Sequence, residues 1–152
     1  MRITICGSIA FISEMVEMKN RLEKMGHEVA IPPVTVPGPD GKPIPAIDYY
    51  KHKKALMADN GAWIWKNHSQ RIVDHFQKVE WSDAILVLNH DKNDIEGYVG
   101  ANTLMEMGLA FHLKKPIFLL NKIPQMSYTE EIFGMKPVVI GGDLSKLLLE
   151  KL

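Results

Sequence analysis

The sequence predicts an α/β fold: one domain, built as a three-layer sandwich with helices on both faces of a mostly parallel sheet of about five strands. Three observations predict it. The short runs "RITIC", "DAILVLN" and "KPIFLLN" are apolar almost throughout, as strands buried on both faces are. Segments with apolar residues at helical spacing alternate with them. The first strand, helix and second strand also fit within about thirty residues, the length of a βαβ unit with a right-handed crossover.

In order, "RITICG" (2–7) reads as a buried strand ended by glycine. From Phe11 to Lys24 a helix follows, with Met15, Met18, Leu22 and Met25 on one stripe and Gly26 as its stop. "HEVAIP" (27–32) is the second strand. The stretch 32–48 holds six of the nine prolines and no usable period, so an irregular loop over about 32–46 is expected, mobile and suited to a lid or a subunit contact. Helices are expected over 47–57 and 67–79, the latter with Ile72, Phe76 and Val79 on one face. "DAILVLN" (83–89) is the clearest strand. A polar loop, "HDKNDIEGYVG" (90–100), leads into a helix through Leu113. "KPIFLLN" (115–121) and "KPVVIGG" (136–142) are the last strands, and 143–152 closes as a helix with Asp143 as N-cap. Order and layering together give a Rossmann-like or flavodoxin-like sandwich filling residues 1–152.

Composition narrows the function. Lys plus Arg and Asp plus Glu are 18 each, a net charge of zero, which argues against a nucleic-acid polymer as partner. The basic cluster "KHKK" (51–54) reads as a solvated helix face. With one cysteine, Cys6, no internal disulfide is possible, a cysteine-based metal site is not expected, and the residue reads as inert and buried. No run is long enough for a membrane helix and no secretory pattern precedes the first strand, so a cytoplasmic protein is the default.

In such sheets ligands bind beyond the carboxyl ends of the strands. Those ends here carry "CGSIAF", with Gly7, Ser8 and Ile9, and "NHDKNDIEGYVGAN", from Asn89 through Tyr98 and Gly100 to Ala101 and Asn102. Two glycine-bearing turns before helices can each seat an anion or a sugar hydroxyl. Glu106 follows the second turn and admits two readings. It can close a capping box with Thr103, or serve as an acid in the first turn with Asn102 as cap. Alternatively, it shares a stripe with Leu109, Ala110 and Leu113, and a carboxylate on that face suits a nucleophile or general base. Asp74 reads first as a surface acid paired with Arg71 or Lys78. His68 and His75 are able to pair with it, and the histidines show no metal-ligand spacing. Trp63, Trp65 and Trp81 read as core or interface anchors.

Taken together, "CGSI", "SDAILVLN", the glycine turn before "TLMEMGLA", and "KPIFLL" resemble the nucleoside 2-deoxyribosyltransferase superfamily, which includes the 2'-deoxynucleoside 5'-phosphate N-hydrolases. The likeness runs in order over most of the chain and is firmest from Ser82 to Leu120, where Glu106, Gly108 and Ala110 match "E-x-G-x-A". It implies a homo-oligomeric enzyme (dimer or tetramer) that breaks or transfers the N-glycosidic bond of a nucleoside or nucleotide without metal or cofactor. By the same resemblance Glu106 attacks C1' and forms a covalent glycosyl-enzyme. A group on the preceding helix, matched by Asp74 with His75 as rival, assists the departing base. The transferases have an aspartate six residues before the glutamate and the monophosphate hydrolases a serine; here the position is Gly100. A missing carboxylate there tilts the expectation toward a 5'-phosphate, seated by Ser8 and Gly100 to Asn102, with Tyr98 shaping the base pocket. A domain that binds nucleotides without catalysis is the alternative.

Overall fold

A computed structural model describes residues 1–60 and 63–147. Five parallel strands form the sheet: β1 (Arg2–Cys6), β2 (Glu28–Ala30), β5 (Ala84–Val87), β6 (Ile117–Leu119) and β7 (Val138–Val139), in the order β2-β1-β5-β6-β7. The expected sandwich is therefore present, with every strand pair of the sheet parallel. Its centre follows from composition. Residues 3–6 and 84–87 are buried without interruption, and side chains alternate between the faces. Ile3, Ile5, Leu86 and Leu88 meet α1 (Ile12–Lys24) through Met15, Met18 and Leu22. Cys6, Ile85 and Val87 meet the opposite layer, made by α3 (Trp63–Trp81), α4 (Ala101–His112) and α5 (Thr129–Gly134), through Val79, Met107, Ala110 and Ile132.

The proline-rich stretch is not an irregular loop. It folds into an antiparallel hairpin, β3 (Thr35–Pro37) and β4 (Pro43–Pro45), which runs into α2 (Ala46–Ala55). A two-stranded ribbon tolerates proline because its outer edges donate to no neighbouring strand. Asp40 closes the turn by accepting from the Lys42 amide at 3.0 Å, and Gly38 and Lys42 pair across it at 2.8 Å. Val36, Tyr49 and Ile64 form a small separate core beneath it, joined by Trp63 and Trp65. These two tryptophans pack as expected, whereas Trp81 is 37% exposed, with the Arg2 guanidinium over its ring.

Two further differences concern ends. Helix α5, absent from the sequence reading, follows a turn in which the Thr129 hydroxyl accepts from the Met126 amide. At the carboxyl end Asp143 accepts from the Ser145 amide at 3.0 Å and starts a 3-10 turn, Leu144–Leu147. The remainder of the helix expected over 143–152 lies outside the described residues. Lys115 explains part of the "KP" before β6: its ammonium donates to the carbonyls of Val79 and Ser82, at 2.8 and 2.6 Å, and to that of Glu80. It thereby satisfies the open carbonyl end of α3 with a cation on the favourable side of the helix dipole. Among the described residues no helix is long and apolar enough to cross a membrane.

At the amino edge of the sheet, Asp83 accepts from the Arg2 amide at 2.7 Å and from its guanidinium at 2.8 Å. These hydrogen bonds hold the Asp83 carboxyl below its ordinary range. A depressed carboxylate contributes stability above its unfolded pKa and loses it as pH falls through the folded value. The gap in Tm between wild type and Asp83→Asn is therefore expected to be small at neutral pH, because the pair is exposed, and to close in strong acid.

Candidate active site

The sheet order reverses between β1 and β5, and their carboxyl ends open onto a cavity of about 310 Å³. That is the size of a site for a small metabolite, at the position where such sheets bind ligands. Gly7, Ser8 and Ile9 reach it from β1. Arg71, Asp74 and His75 reach it from α3, and Tyr98, Gly100, Ala101, Asn102 and Glu106 from the turn into α4 and its first turns. The hairpin and α2 complete the enclosure with Val36, Ala46, Tyr49 and Tyr50.

Glu106 does not cap its helix. Gly100 is the N-cap, in extended conformation, with no side-chain hydrogen bond. Asn102 is thus the second residue of α4, and Thr103 lies inside it, 2% exposed. The capping box would need the helix to start at Thr103; it starts at Ala101 instead, and a side chain at Gly100 would press on the Tyr98 ring. The buried stripe is Thr103, Glu106, Met107 and Ala110, while Leu113 sits past the helix end and is exposed. Glu106 is 9% exposed, with its carboxyl at the boundary between the α3–α4 packing and the cavity.

Its neighbours come from two other elements. The Nε2 atom of His75 lies 3.6 Å from a Glu106 carboxylate oxygen and 3.6 Å from the Cys6 sulfur. The Cys6 thiol in turn hydrogen-bonds Glu106. Burial pushes the Glu106 carboxyl up to about 8, against a smaller opposing effect of that thiol. Burial, and then the charge of Lys78, push His75 down to about 4. Burial also drives the Cys6 thiol well up, with the Glu106 charge adding to it. At neutral pH the contact is thus between a protonated carboxyl and a neutral imidazole, because neither charge is solvated there. His75 does not pair with Asp74: it is buried, and its ring faces Glu106.

Asp74 stands at the rim. Arg71 holds it at 3.1 Å and the Gln70 amide donates to it at 2.7 Å, so the surface-acid reading and cavity access are both true of it. His68 packs edge-on to Trp65 and lines the cavity without pairing with Asp74. Asn89 does not line the cavity. It is fully buried, and its amide is shared among the carbonyls of Gly97, Asn121 and Lys122 while its oxygen accepts from the Asn121 amide. All its polar capacity is spent holding two loops together. Gly97 is part of the same arrangement: its φ is +67°, and a side chain there would overlap the Lys122 carbonyl.

A basic group at the cavity was missed in the sequence. The Lys92 ammonium donates to the Ser8 hydroxyl at 2.7 Å and to the Tyr50 hydroxyl at 3.3 Å, over the rings of Tyr50 and Tyr98 at 4.9 and 5.0 Å. Lys53 and Lys54 approach the same Tyr50 ring. Burial pushes the Tyr50 phenol up, but the hydrogen bonds and charges of Lys92 and Lys54 bring it below its ordinary value. "KHKK" is therefore only half a solvated face: Lys53 and Lys54 line the cavity, while Lys51 is exposed. With Arg71 and Lys78, five cations face two carboxyl groups, Asp74 and Glu106. The signal that would have found Lys92 is a lysine a few residues beyond the end of a central buried strand, in a loop otherwise acidic and amidic.

No family model matches the chain, and no curated protein matches it. Among solved structures it is similar to a 2-deoxyribosyltransferase of the psychrotolerant bacterium Bacillus psychrosaccharolyticus, at 15% identity and a TM-score of 0.47, over 78% of this chain and 71% of that one. It is also similar to a CMP N-glycosidase of Clostridium botulinum, at 15% identity and a TM-score of 0.48, over 91% of this chain and 85% of that one.

Proposed function

We propose that the protein cleaves or transfers the N-glycosidic bond of a nucleoside or nucleoside 5'-monophosphate through a covalent intermediate on Glu106. The observation that carries this reading is a single buried carboxyl group aimed into a basic cavity at the switch point of the sheet. In the first step a Glu106 oxygen bonds C1', and the C1'–N bond breaks with its electron pair leaving on the base. As it bonds C1', Glu106 gives up its own proton to the His75 imidazole it touches, and the imidazolium serves as the acid, passing that proton, directly or by way of Asp74 at the rim, to the departing nitrogen. Water, or a second base, then attacks C1' and frees Glu106; in hydrolysis the water's proton returns to the acid. This is the two-step logic of retaining glycosidases, in which a carboxylate bonds the anomeric carbon and a second group carries the leaving-group proton. His75 suits a role in handling the Glu106 proton, because the two side chains touch.

The surplus of cations favours the 5'-phosphate form. Lys92, Ser8 and the amino end of α4 at Gly100–Asn102 converge on one side of the cavity, and a dianion there would neutralise charge that no carboxylate answers. Lys92→Met is expected to raise KM for a nucleoside monophosphate by roughly ten- to a hundredfold, and to leave turnover of the free nucleoside nearly unchanged. Equal losses on both substrates would remove the phosphate assignment.

The neutral Glu106–His75 pair favours a second reading, a nucleotide-binding domain without catalysis. One experiment separates them. A panel of nucleosides and their 5'-monophosphates is incubated with the protein, free base is quantified, and the Glu106 peptide is searched for a glycosyl adduct. Base release with the adduct supports the enzyme; tight binding without release supports the binding domain.

A further inference from the structure

The Cys6–His75–Glu106 contact has a property that glycosidic chemistry does not use. The sulfur, the ring nitrogen and a carboxylate oxygen all lie within 4.8 Å of one another, and all three residues are buried. Two of the three separations are 3.6 Å. A tetrahedral zinc ion with Zn–S near 2.3 Å and Zn–N near 2.0–2.1 Å sets its sulfur and nitrogen ligands about 3.5–3.6 Å apart, and its nitrogen and oxygen ligands about 3.4 Å apart. Two of the three donor pairs therefore stand at nearly the spacing a tetrahedral ion imposes, and the third, sulfur to carboxylate oxygen, lies within 4.8 Å.

We propose that Cys6, His75 and Glu106 form a three-ligand site for a soft divalent transition-metal ion of the zinc type, whose occupancy removes Glu106 from the cavity's chemistry. The donor set selects the metal. A thiolate with an imidazole suits zinc or cobalt and is poor for magnesium or calcium, which take oxygen ligands. Charge selects the valence. Binding displaces the Cys6 thiol proton and the Glu106 carboxyl proton to solvent; the thiolate and carboxylate so formed sum to zero with one divalent ion, whereas a monovalent or trivalent ion would leave net charge in a buried place. His75 and Glu106 line the cavity and Cys6 lies behind them, so the fourth ligand position faces the cavity and water or an anion can fill it. The surrounding charges act against entry: Lys78 is the cation that most affects His75, and Lys53, Lys54, Arg71 and Lys92 line the approach. They slow a cation's arrival, while the thiolate bond governs how long it stays.

The site is independent of the glycosidase reading, and its test reads the metal directly. Cobalt(II) is titrated into the whole protein. The expected result is one equivalent bound, with the visible absorption of four-coordinate cobalt and a thiolate-to-cobalt charge-transfer band, both displaced by zinc. Cys6 is the chain's one cysteine, so any such band belongs to it, and the wild-type spectrum decides even if a variant fails to fold. Cys6→Ser is expected to lose the charge-transfer band and at least tenfold in affinity, while His68→Ala, which changes a cavity histidine outside the cluster, keeps both. Absence of the band at stoichiometric cobalt, or unchanged affinity in Cys6→Ser, overturns the proposal. If base release is found, zinc is expected to suppress it with the same midpoint as cobalt displacement. If none is found, the spectrum still stands by itself.

Discussion

Glu106→Gln is expected to lower base release by about a thousandfold or more while nucleotide affinity stays within roughly tenfold. Glutamine keeps the size of the side chain and its ability to hydrogen-bond the Cys6 thiol and the His75 imidazole, but it cannot form an ester with C1'. The helix is not at stake, because Gly100 rather than Glu106 begins it, and Glu106 is predominantly protonated at neutral pH, so the amide replaces a group that is already uncharged. Tm is expected to move little. Activity near wild type in Glu106→Gln would exclude a glycosyl ester and leave the binding reading standing. Loss of both activity and binding would show that the side chain shapes the cavity rather than reacting in it.

Asn89→Ala is expected to destabilise the protein by about 3 kcal/mol, since roughly 1 kcal/mol attaches to each buried hydrogen bond lost and the partners are left unsatisfied. For a chain of this length that is a fall in Tm of roughly 10 °C. The more telling variant is Asn89→Asp. Its size is unchanged, yet the donor that three carbonyls share becomes a second oxygen, and a buried carboxylate facing carbonyl oxygens has nothing to pair with. It is expected to be less stable than the alanine variant at neutral pH and to recover as pH falls. The sign follows from the raised pKa that the folded state would impose on the introduced acid: protonation is favoured by folding, so stability is lost as pH rises. A pH-independent penalty would mean that water reaches the site. Thermal melts of both variants across pH measure this directly.

The sheet was legible because its strands carry their signal locally. Residues 84–87 and 117–119 are apolar in succession, and no other placement buries them. The hairpin was not legible, since prolines mask strand character and its pairing, Val36 with Ile44, is set by a turn rather than by periodicity. Glu106 could be singled out from its position after a glycine turn, but its partners could not. Cys6, His75 and Glu106 are 69 and 31 residues apart in succession, and only the parallel pairing of β1 with β5 and the packing of α3 on α4 brings them together. Spacing rules find metal ligands that share a helix or a knuckle; a set with one donor from each of three elements leaves no such trace. Lys92 and Lys53 were overlooked for a related reason, as a polar loop and a basic helix turn look solvated until the cavity between them is known.

The hairpin and α2 form one unbroken insert between β2 and α3, resting on Val36, Tyr49 and Ile64 rather than on the sheet. Glu106 and its neighbours belong instead to the strands and helices of the main core. The insert thus supplies one wall of the cavity, with Val36, Tyr49, Tyr50 and Lys53 among its lining, whereas Ser8, Lys92 and Glu106 stand on the main body. A change in the packing of Val36 on Tyr49 and Ile64 would therefore reshape that wall without touching the contacts that position Glu106.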